Sequence, residues 1–218
     1  MKNIIFVAPP AAGKGTQSKF ISEEYNIPHI STGDLIREEV NSSSDLGIYL
    51  KKEMDLGNLV KDEIITELLK TRLSKADCKN GYILDGYPRN VSQAKTYESI
   101  LDELNYDLGV VIFMDIDKET ALERTLSRIV CLNCGASYNL LDKNLKPKND
   151  GICDKCNNTL KIRSDDNKET FLNRFDTYLE KTQSLIDYYE EKHVLRRIKI
   201  TKNDSAQDIF NEIKQIIA

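Results

Sequence analysis

Four of the chain's five cysteines form one arrangement, Cys131-x2-Cys134-x18-Cys153-x2-Cys156. Two Cys-x-x-Cys turns at such a separation are the spacing of a four-thiolate zinc site, each turn placing two sulfurs on one ion. All four ligands come from the protein, so no coordination position is left for a substrate and the metal is expected to be structural. The segment between the turns is polar, too small for a core of its own, and needs such a staple. Two disulfides are the alternative, and a reducing compartment disfavours them. Cys78, in a polar stretch, reads as a free thiol.

The second chemical group is Ala8-Pro9-Pro10-Ala11-Ala12-Gly13-Lys14-Gly15-Thr16, between an apolar β-branched run and a helical pattern. In that setting backbone N–H groups and a helix dipole hold phosphate, and Lys14 adds a point charge for the β- and γ-phosphates. The pattern G-x-x-x-x-G-K-[ST] is missed twice. Ala8 stands at the first glycine and Gly15 at the hydroxyl position, with Thr16 one place late. The bland alternative is an ordinary strand-to-helix turn. Pro9 and Pro10 preset the loop, so Ala8 and Ala11 are expected at negative φ; a left-handed alanine costs about 1 kcal/mol. Phosphoryl transfer asks for positioning and positive charge, so arginines and strand-end carboxylates are the partners to seek.

The elements that must position these groups alternate. Residues 3–8, 82–85, 109–116 and 194–200 read as strands, with a short extended piece at 28–31. Helices are expected over 14–26, 32–40, 45–57, 61–75, 90–105, 118–130, 168–192 and 205–217. Asp45 is expected to cap the third of these and Gly57 to end it. Residues 131–160 lack helical periodicity. Strands alternating with helices imply a parallel sheet covered on both faces.

Composition bounds the function. With 218 residues, 40% hydrophobic and 30% charged, the chain can bury a sizeable core. Lys+Arg 31 against Asp+Glu 35 gives a net charge of −4, which argues against a broad nucleic-acid or membrane surface. No apolar run nears the roughly 18 residues of a membrane span, and Pro9-Pro10 interrupts the only signal-like stretch. A cytoplasmic location is expected.

Further segments carry a family resemblance. Ser31-Thr32-Gly33-Asp34 with Arg37, Gly57-Asn58-Leu59-Val60, and Asp85-Gly86-Tyr87-Pro88-Arg89 with Gln93 resemble the nucleoside-monophosphate side of adenylate kinases. Gly13-Lys14-Gly15-Thr16-Gln17 resembles their phosphate loop. Arg124 and Arg128 before the cysteines, and Arg163-Ser164-Asp165-Asp166-Asn167 with Arg174 after them, extend the match over essentially the whole chain. The resemblance is to the long bacterial type whose lid carries zinc.

That resemblance implies a P-loop kinase fold with a central parallel sheet of about five strands. It also implies a core (1–30, 61–127, 165–218), a monophosphate-binding insert (31–60) and a zinc-binding lid (128–164). It implies ATP + AMP ⇌ 2 ADP with Mg²⁺, in a monomer that binds neither nucleic acid nor membrane. Lys14, Arg89, Arg128, Arg163, Arg174 and Asp85 would be catalytic, Asp85 orienting waters on Mg²⁺ with help from Asp34. Ala11, Ala12, Gly13, Lys14, Gly15, Thr16, Arg124, Arg128, Ser137, Tyr138 and the backbone of Asp204 would hold ATP. Thr32, Arg37, Asn58, Leu59, Val60, Gly86, Arg89, Gln93, Arg163 and Arg174 would hold AMP, Gln93 reading the adenine edge.

Arginine is scarce, nine against 22 lysines, and six of the nine are Arg37, Arg89, Arg124, Arg128, Arg163 and Arg174. Arg124 and Arg128, at i and i+4, are expected on one helical face. His29 and His193 read as structural and surface residues. A UMP/CMP or other nucleoside monophosphate kinase is the near alternative. A zinc-ribbon nucleic-acid-binding ATPase is the distant one, and residues 131–156, with four Lys and three Asp beside a Zn(Cys)₄ centre, are too poor in net positive charge for it. A non-catalytic nucleotide-binding partner would not need two phosphate-gripping arginine sets.

Overall fold

The computed structural model describes residues 3–42, 44–55, 60–163 and 166–218. Its elements run β1 (Ile4–Val7), α1 (Lys14–Tyr25), β2 (His29–Ser31), α2 (Thr32–Asn41), α3 (Asp45–Asp55), α4 (Asp62–Leu73), β3 (Ile83–Asp85) and α5 (Val91–Leu104). Then follow β4 (Val110–Ile116), α6 (Lys118–Leu126), β5 (Arg128–Cys131), β6 (Ser137–Asn139), β7 (Leu160–Lys161), α7 (Lys168–Glu191), β8 (Leu195–Ile200) and α8 (Ala206–Ile217). The central sheet is parallel, in the order β2-β3-β1-β4-β8, with helices flanking it. Ile4, Ile5, Ile83, Leu84, Val111 and Ile112 are fully buried in it. Such unbroken apolar runs are what a parallel sheet covered on both faces requires.

Register decides where functional loops leave this sheet. Asp85 of β3 stands opposite both Phe6 of β1 and Ser31 of β2. Thr32 and Gly86, the residues that come next, therefore emerge side by side. Caps fix the helix starts: Ser31 accepts from Asp34 N, Asn90 from Gln93 N and Asp117 from Thr120 N, and Ser205 with Asp208 forms a capping box. For α3 the cap is Ser44, whose Oγ accepts from Gly47 N at 2.8 Å, one residue before the expected Asp45. Gly57 lies outside the described residues.

The helix expected over 118–130 is corrected. It stops at Leu126, where Ser127 turns its hydroxyl back onto the Glu123 carbonyl at 2.7 Å. The β-branched pair Ile129-Val130 then belongs to β5, the centre of a three-stranded antiparallel sheet in the order β6-β5-β7. Arg124 and Arg128 consequently do not share a helical face.

Two compact units make up the chain. One comprises Met1–Val7, Ile21–Ile112 and Ser184–Leu195; the other comprises Ala8–Phe20, Phe113–Gln183 and Arg196–Ala218. Of the residues expected to hold AMP, Thr32, Arg37, Val60, Gly86, Arg89 and Gln93 fall in the first unit and Arg163 and Arg174 in the second, with the loop 8–16, Arg124, Arg128 and the four clustered cysteines. Among the described residues no helix is long and apolar enough to cross a membrane.

Candidate functional site

In the second unit the phosphate loop departs from expectation at one residue. Ala8 keeps a negative φ, but Ala11 lies in the left-handed region at φ 61°, followed by Gly13 at 99°. Pro9 and Pro10 fix their own φ but leave the reversal to the next residue, where Ala12 N turns back toward Pro9 O at 3.5 Å. Left-handed residues of this kind aim backbone N–H groups into a concavity that suits anions. Ala11→Gly should relieve the strain and stabilise the fold by about 0.5–1 kcal/mol, the steric relief being partly offset by the freer unfolded chain. Denaturant titration of the two proteins measures it.

Lys14 lies across this loop, its Nζ donating to Ala8 O at 2.9 Å and Pro9 O at 3.3 Å. A Cβ built at Gly15 would meet nothing within 4 Å, so the first turn of α1 faces open space. Gln17, buried, donates from Nε2 to Ala206 O at 2.9 Å and ties α1 to α8.

Arg124 and Asp204 are brought together: Arg124 Nη2 donates to Asp204 O at 3.2 Å and Thr201 O at 3.4 Å. Burial pulls the Arg124 pKa below its ordinary value against the opposing charges of Asp142 and Asp204. The Asp204 carboxylate accepts from the backbone N–H of Thr201 at 2.7 Å and from its hydroxyl at 2.8 Å, and the Asp204 N–H donates to Thr201 O at 3.3 Å. Asn139 and Asp142 are further anchors that spacing alone did not single out. Asn139 donates to Arg124 O, and Asp142 accepts from Ala206 N at 3.1 Å.

Arg128 holds Asp166 through two parallel bonds, Nε to Oδ2 at 2.8 Å and Nη2 to Oδ1. The Asp166 side chain is 0% exposed, and its N–H donates to Arg163 O at 3.1 Å. Replacing Arg128 by Met strands that carboxylate. The expected loss is about 3 kcal/mol, read by thermal and denaturant unfolding, and Arg128→Met/Asp166→Leu should recover part of it. Arg163 and Arg174 are exposed. Ser137 is exposed and lines a cleft of about 190 Å³ with Lys19, Asn144, Lys146 and Lys155. Tyr138 is 8% exposed; its hydroxyl accepts from Asp154 N at 2.8 Å and lies 3.4 Å from Cys153 Sγ.

The four cysteines converge, their sulfurs all within 4.8 Å of one another. The 3.4 Å Cys131–Cys156 and 3.5 Å Cys134–Cys153 separations exclude disulfides, whose S–S length is about 2.05 Å. They approach the ~3.8 Å that a tetrahedron with zinc–sulfur bonds of about 2.3 Å requires. Hydrogen bonds from the Asn158 backbone and the Asn133 side chain hold the Cys156 thiol down to about 6, favouring thiolate. The donor set fits zinc. Cys78 is also unpaired, but it is 1% exposed; burial pushes its thiol up to about 11, so it is a packed core residue.

In the first unit Thr32 Oγ1 donates to Gly86 O at 3.2 Å, and Arg89 Nε donates to the same carbonyl at 2.8 Å. Gly86 needs to be glycine: φ is 84°, and a Cβ would stand 2.9 Å from Thr32 Oγ1. Gln93, 7% exposed, accepts from Arg89 N and donates to Asp62 Oδ1, both at 2.7 Å. Asp62 was not among the expected site residues. Arg37 folds over Gly33 and pairs with Asp34 at 2.5 Å. Asp85 ends β3 with His29 Nε2 3.6 Å away, and His193 is exposed in a left-handed residue just after α7. Val60 is half-buried, while Asn58 and Leu59 lie outside the described residues.

The second unit thus holds Lys14 across the loop 8–16, and the first brings Thr32, Gly86, Arg89, Gln93 and Asp62 together. Comparison with known proteins gives the same direction throughout. The family model "Adenylate kinase" matches residues 6–194. The adenylate kinase of Clostridium tetani (strain Massachusetts / E88) is 45% identical over 215 residues, covering 99% of this chain and 98% of the relative. That of Geobacillus sp. (strain WCH70) is 42% identical with the same coverage, and that of Methanosarcina mazei is 44% identical over 99% of this chain and 98% of the relative.

Proposed function

We propose, on the premise that this chain belongs to the adenylate kinase family, that it catalyses ATP + AMP ⇌ 2 ADP. It is a phosphotransferase of that family. The observation that carries the phosphate half of the reading is the loop 8–16 at the α1 N-terminus, with Lys14 lying across it and open space at Gly15.

ATP phosphates would take the loop N–H groups and draw Lys14 from the Ala8 and Pro9 carbonyls. Arg124 and the Asp204 backbone would flank the ATP base. Ser137 would line its approach, and Tyr138 would contribute through its backbone because its hydroxyl is engaged elsewhere. Arg37 and Arg89 would grip the AMP phosphate, whose entry competes with Asp34 for the Arg37 guanidinium. Arg89, Arg128, Arg163 and Arg174 would neutralise charge as the phosphoryl group moves, Arg128 from its Asp166 mooring. Mg²⁺ bound with ATP supplies further neutralisation, and Asp85 would orient its waters. Thr32, Val60, Gly86 and Gln93 would surround the AMP base, together with Asn58 and Leu59.

Residues 31–60 and 128–164 would be the inserts on a core of 1–30, 61–127 and 165–218. The second would act as the lid that keeps water from ATP. The enzyme would work as a cytoplasmic monomer, with structural zinc in that lid. A coupled assay of ATP with AMP, UMP, CMP and GMP tests the reading. ADP formed with AMP far faster than with the others supports it, and none formed from AMP overturns it.

A further inference from the structure

Gln93 is the residue proposed to read the AMP base. A glutamine amide has two N–H donors and an oxygen with two acceptor sites, and its two ends are alike in shape. Two neighbours of opposite character decide which way this one lies. The Arg89 backbone N–H only donates, and it donates to Oε1 at 2.7 Å. The Asp62 carboxylate accepts from Nε2 at 2.7 Å through Oδ1. Turned over, the amide would set its NH₂ against a backbone N–H and its oxygen against a carboxylate. At 7% exposure, solvent offers Gln93 little substitute for the two lost bonds.

Resting on that role for Gln93, we propose that Asp62 is a positioning residue that sets base specificity, by locking the Gln93 amide in the orientation that pairs with a 6-aminopurine and rejects a 6-oxopurine. The bonds to Arg89 and Asp62 use one lone pair of Oε1 and one hydrogen of Nε2. That leaves Nε2 one hydrogen to donate and Oε1 one site to accept. Adenine offers an N1 acceptor and a 6-amino donor, which match Nε2–H and Oε1 in that order. Guanine and hypoxanthine offer an N1–H donor and an O6 acceptor, the reverse pair, and match only an amide turned over. Asp62 need not touch the base; it makes the turned-over amide costly. It also stands first in α4, 31 residues from Gln93 in sequence, so the helix start carries it to the amide.

The test compares kcat/KM for AMP and for IMP, with ATP, in the wild type and in Asp62→Asn. Asparagine keeps the size but can donate as well as accept, so the Gln93 amide is free to lie either way. The AMP-to-IMP ratio of kcat/KM should fall about tenfold, the equivalent of one hydrogen bond's discrimination, with the AMP loss appearing in KM more than in kcat. An unchanged ratio, or equal losses on both substrates, overturns the inference. A second readout is independent of activity. The Gln93 side-chain amide, identified in ¹⁵N–¹H spectra by its disappearance in Gln93→Glu, should exchange slowly in the wild type and faster in Asp62→Asn; equal exchange overturns it. A wild type that uses AMP while Gln93→Ala leaves its KM for AMP unchanged sinks this inference alone. A wild type inactive with AMP sinks the proposed function.

Discussion

Lys14→Ala is expected to lower kcat by about 10²–10³-fold while the protein stays folded. The side chain donates to two carbonyls of its own loop, Ala8 O at 2.9 Å and Pro9 O at 3.3 Å, and the residue is only half-buried. At such a half-buried position the unfolding free energy should move little, by about 0.5 kcal/mol. The catalytic loss has a different origin. A transferring phosphoryl group spreads negative charge over oxygens between two anionic nucleotides, and a preplaced cation stabilises that charge more than it stabilises bound ATP. The signature is therefore a matched fall in kcat and kcat/KM rather than a rise in KM. Lys14→Arg should not restore the rate, because a planar guanidinium cannot take the place of a compact ammonium threaded over the loop. A loss below tenfold, or one confined to KM, would falsify the role assigned to Lys14.

The residues that do this work differ in how readable they were. β1 and the loop were legible because an unbroken apolar run, Gly13-Lys14 and a helical pattern occur in that order. The sheet was legible for the same reason: Ile4–Val7, Ile83–Asp85 and Val110–Ile116 are apolar runs bounded by Gly, Pro or a charged cap. Ala11 was misread because residue type was weighed and loop closure was not. The chain has to reverse after two prolines, and the strain falls on the next residue that can move. β5 was absorbed into a helix because Arg124 and Arg128 have helical spacing, although Ser127 and the β-branched Ile129-Val130 already argued for a break. Asp62 went unnamed, and Asp166, quoted within the Arg163–Asn167 segment, was assigned no role, for another reason. Each acquires its role from a partner 31 or 38 residues away, and no local pattern encodes such a pairing. Cys78 looked polar by its neighbours Asp77 and Lys79, but the fold turns its side chain inward against Arg72.

Stripping the metal should lower the melting temperature by roughly 10 °C or more, if even a third of the ~10–16 kcal/mol typical of structural zinc is realised in the folded chain. The reason is the poverty of the segment that carries it. The strands β5, β6 and β7 have four, three and two residues, short of what an isolated sheet needs. Its buried cluster is Cys131, Ala136, Tyr138, Cys153 and Leu160, so two of five core residues would themselves be ligands. Tyr138 spends its hydroxyl on Cys153 Sγ and Asp154 N, which makes metal site and core one structure. Elemental analysis should find one zinc per chain. Cys153→Ser, at a buried ligand, should cost more than Cys134→Ser, at an exposed one. Activity should survive chelation well below the new transition, since no ligand position is open to substrate. It should vanish as the segment melts, because Arg128 opens β5 and Arg163 comes just after β7, and both lose their place when those strands separate. A chelated protein with an unshifted transition, or one that loses activity at temperatures where the segment is still folded, would mean that the metal is not the staple inferred here.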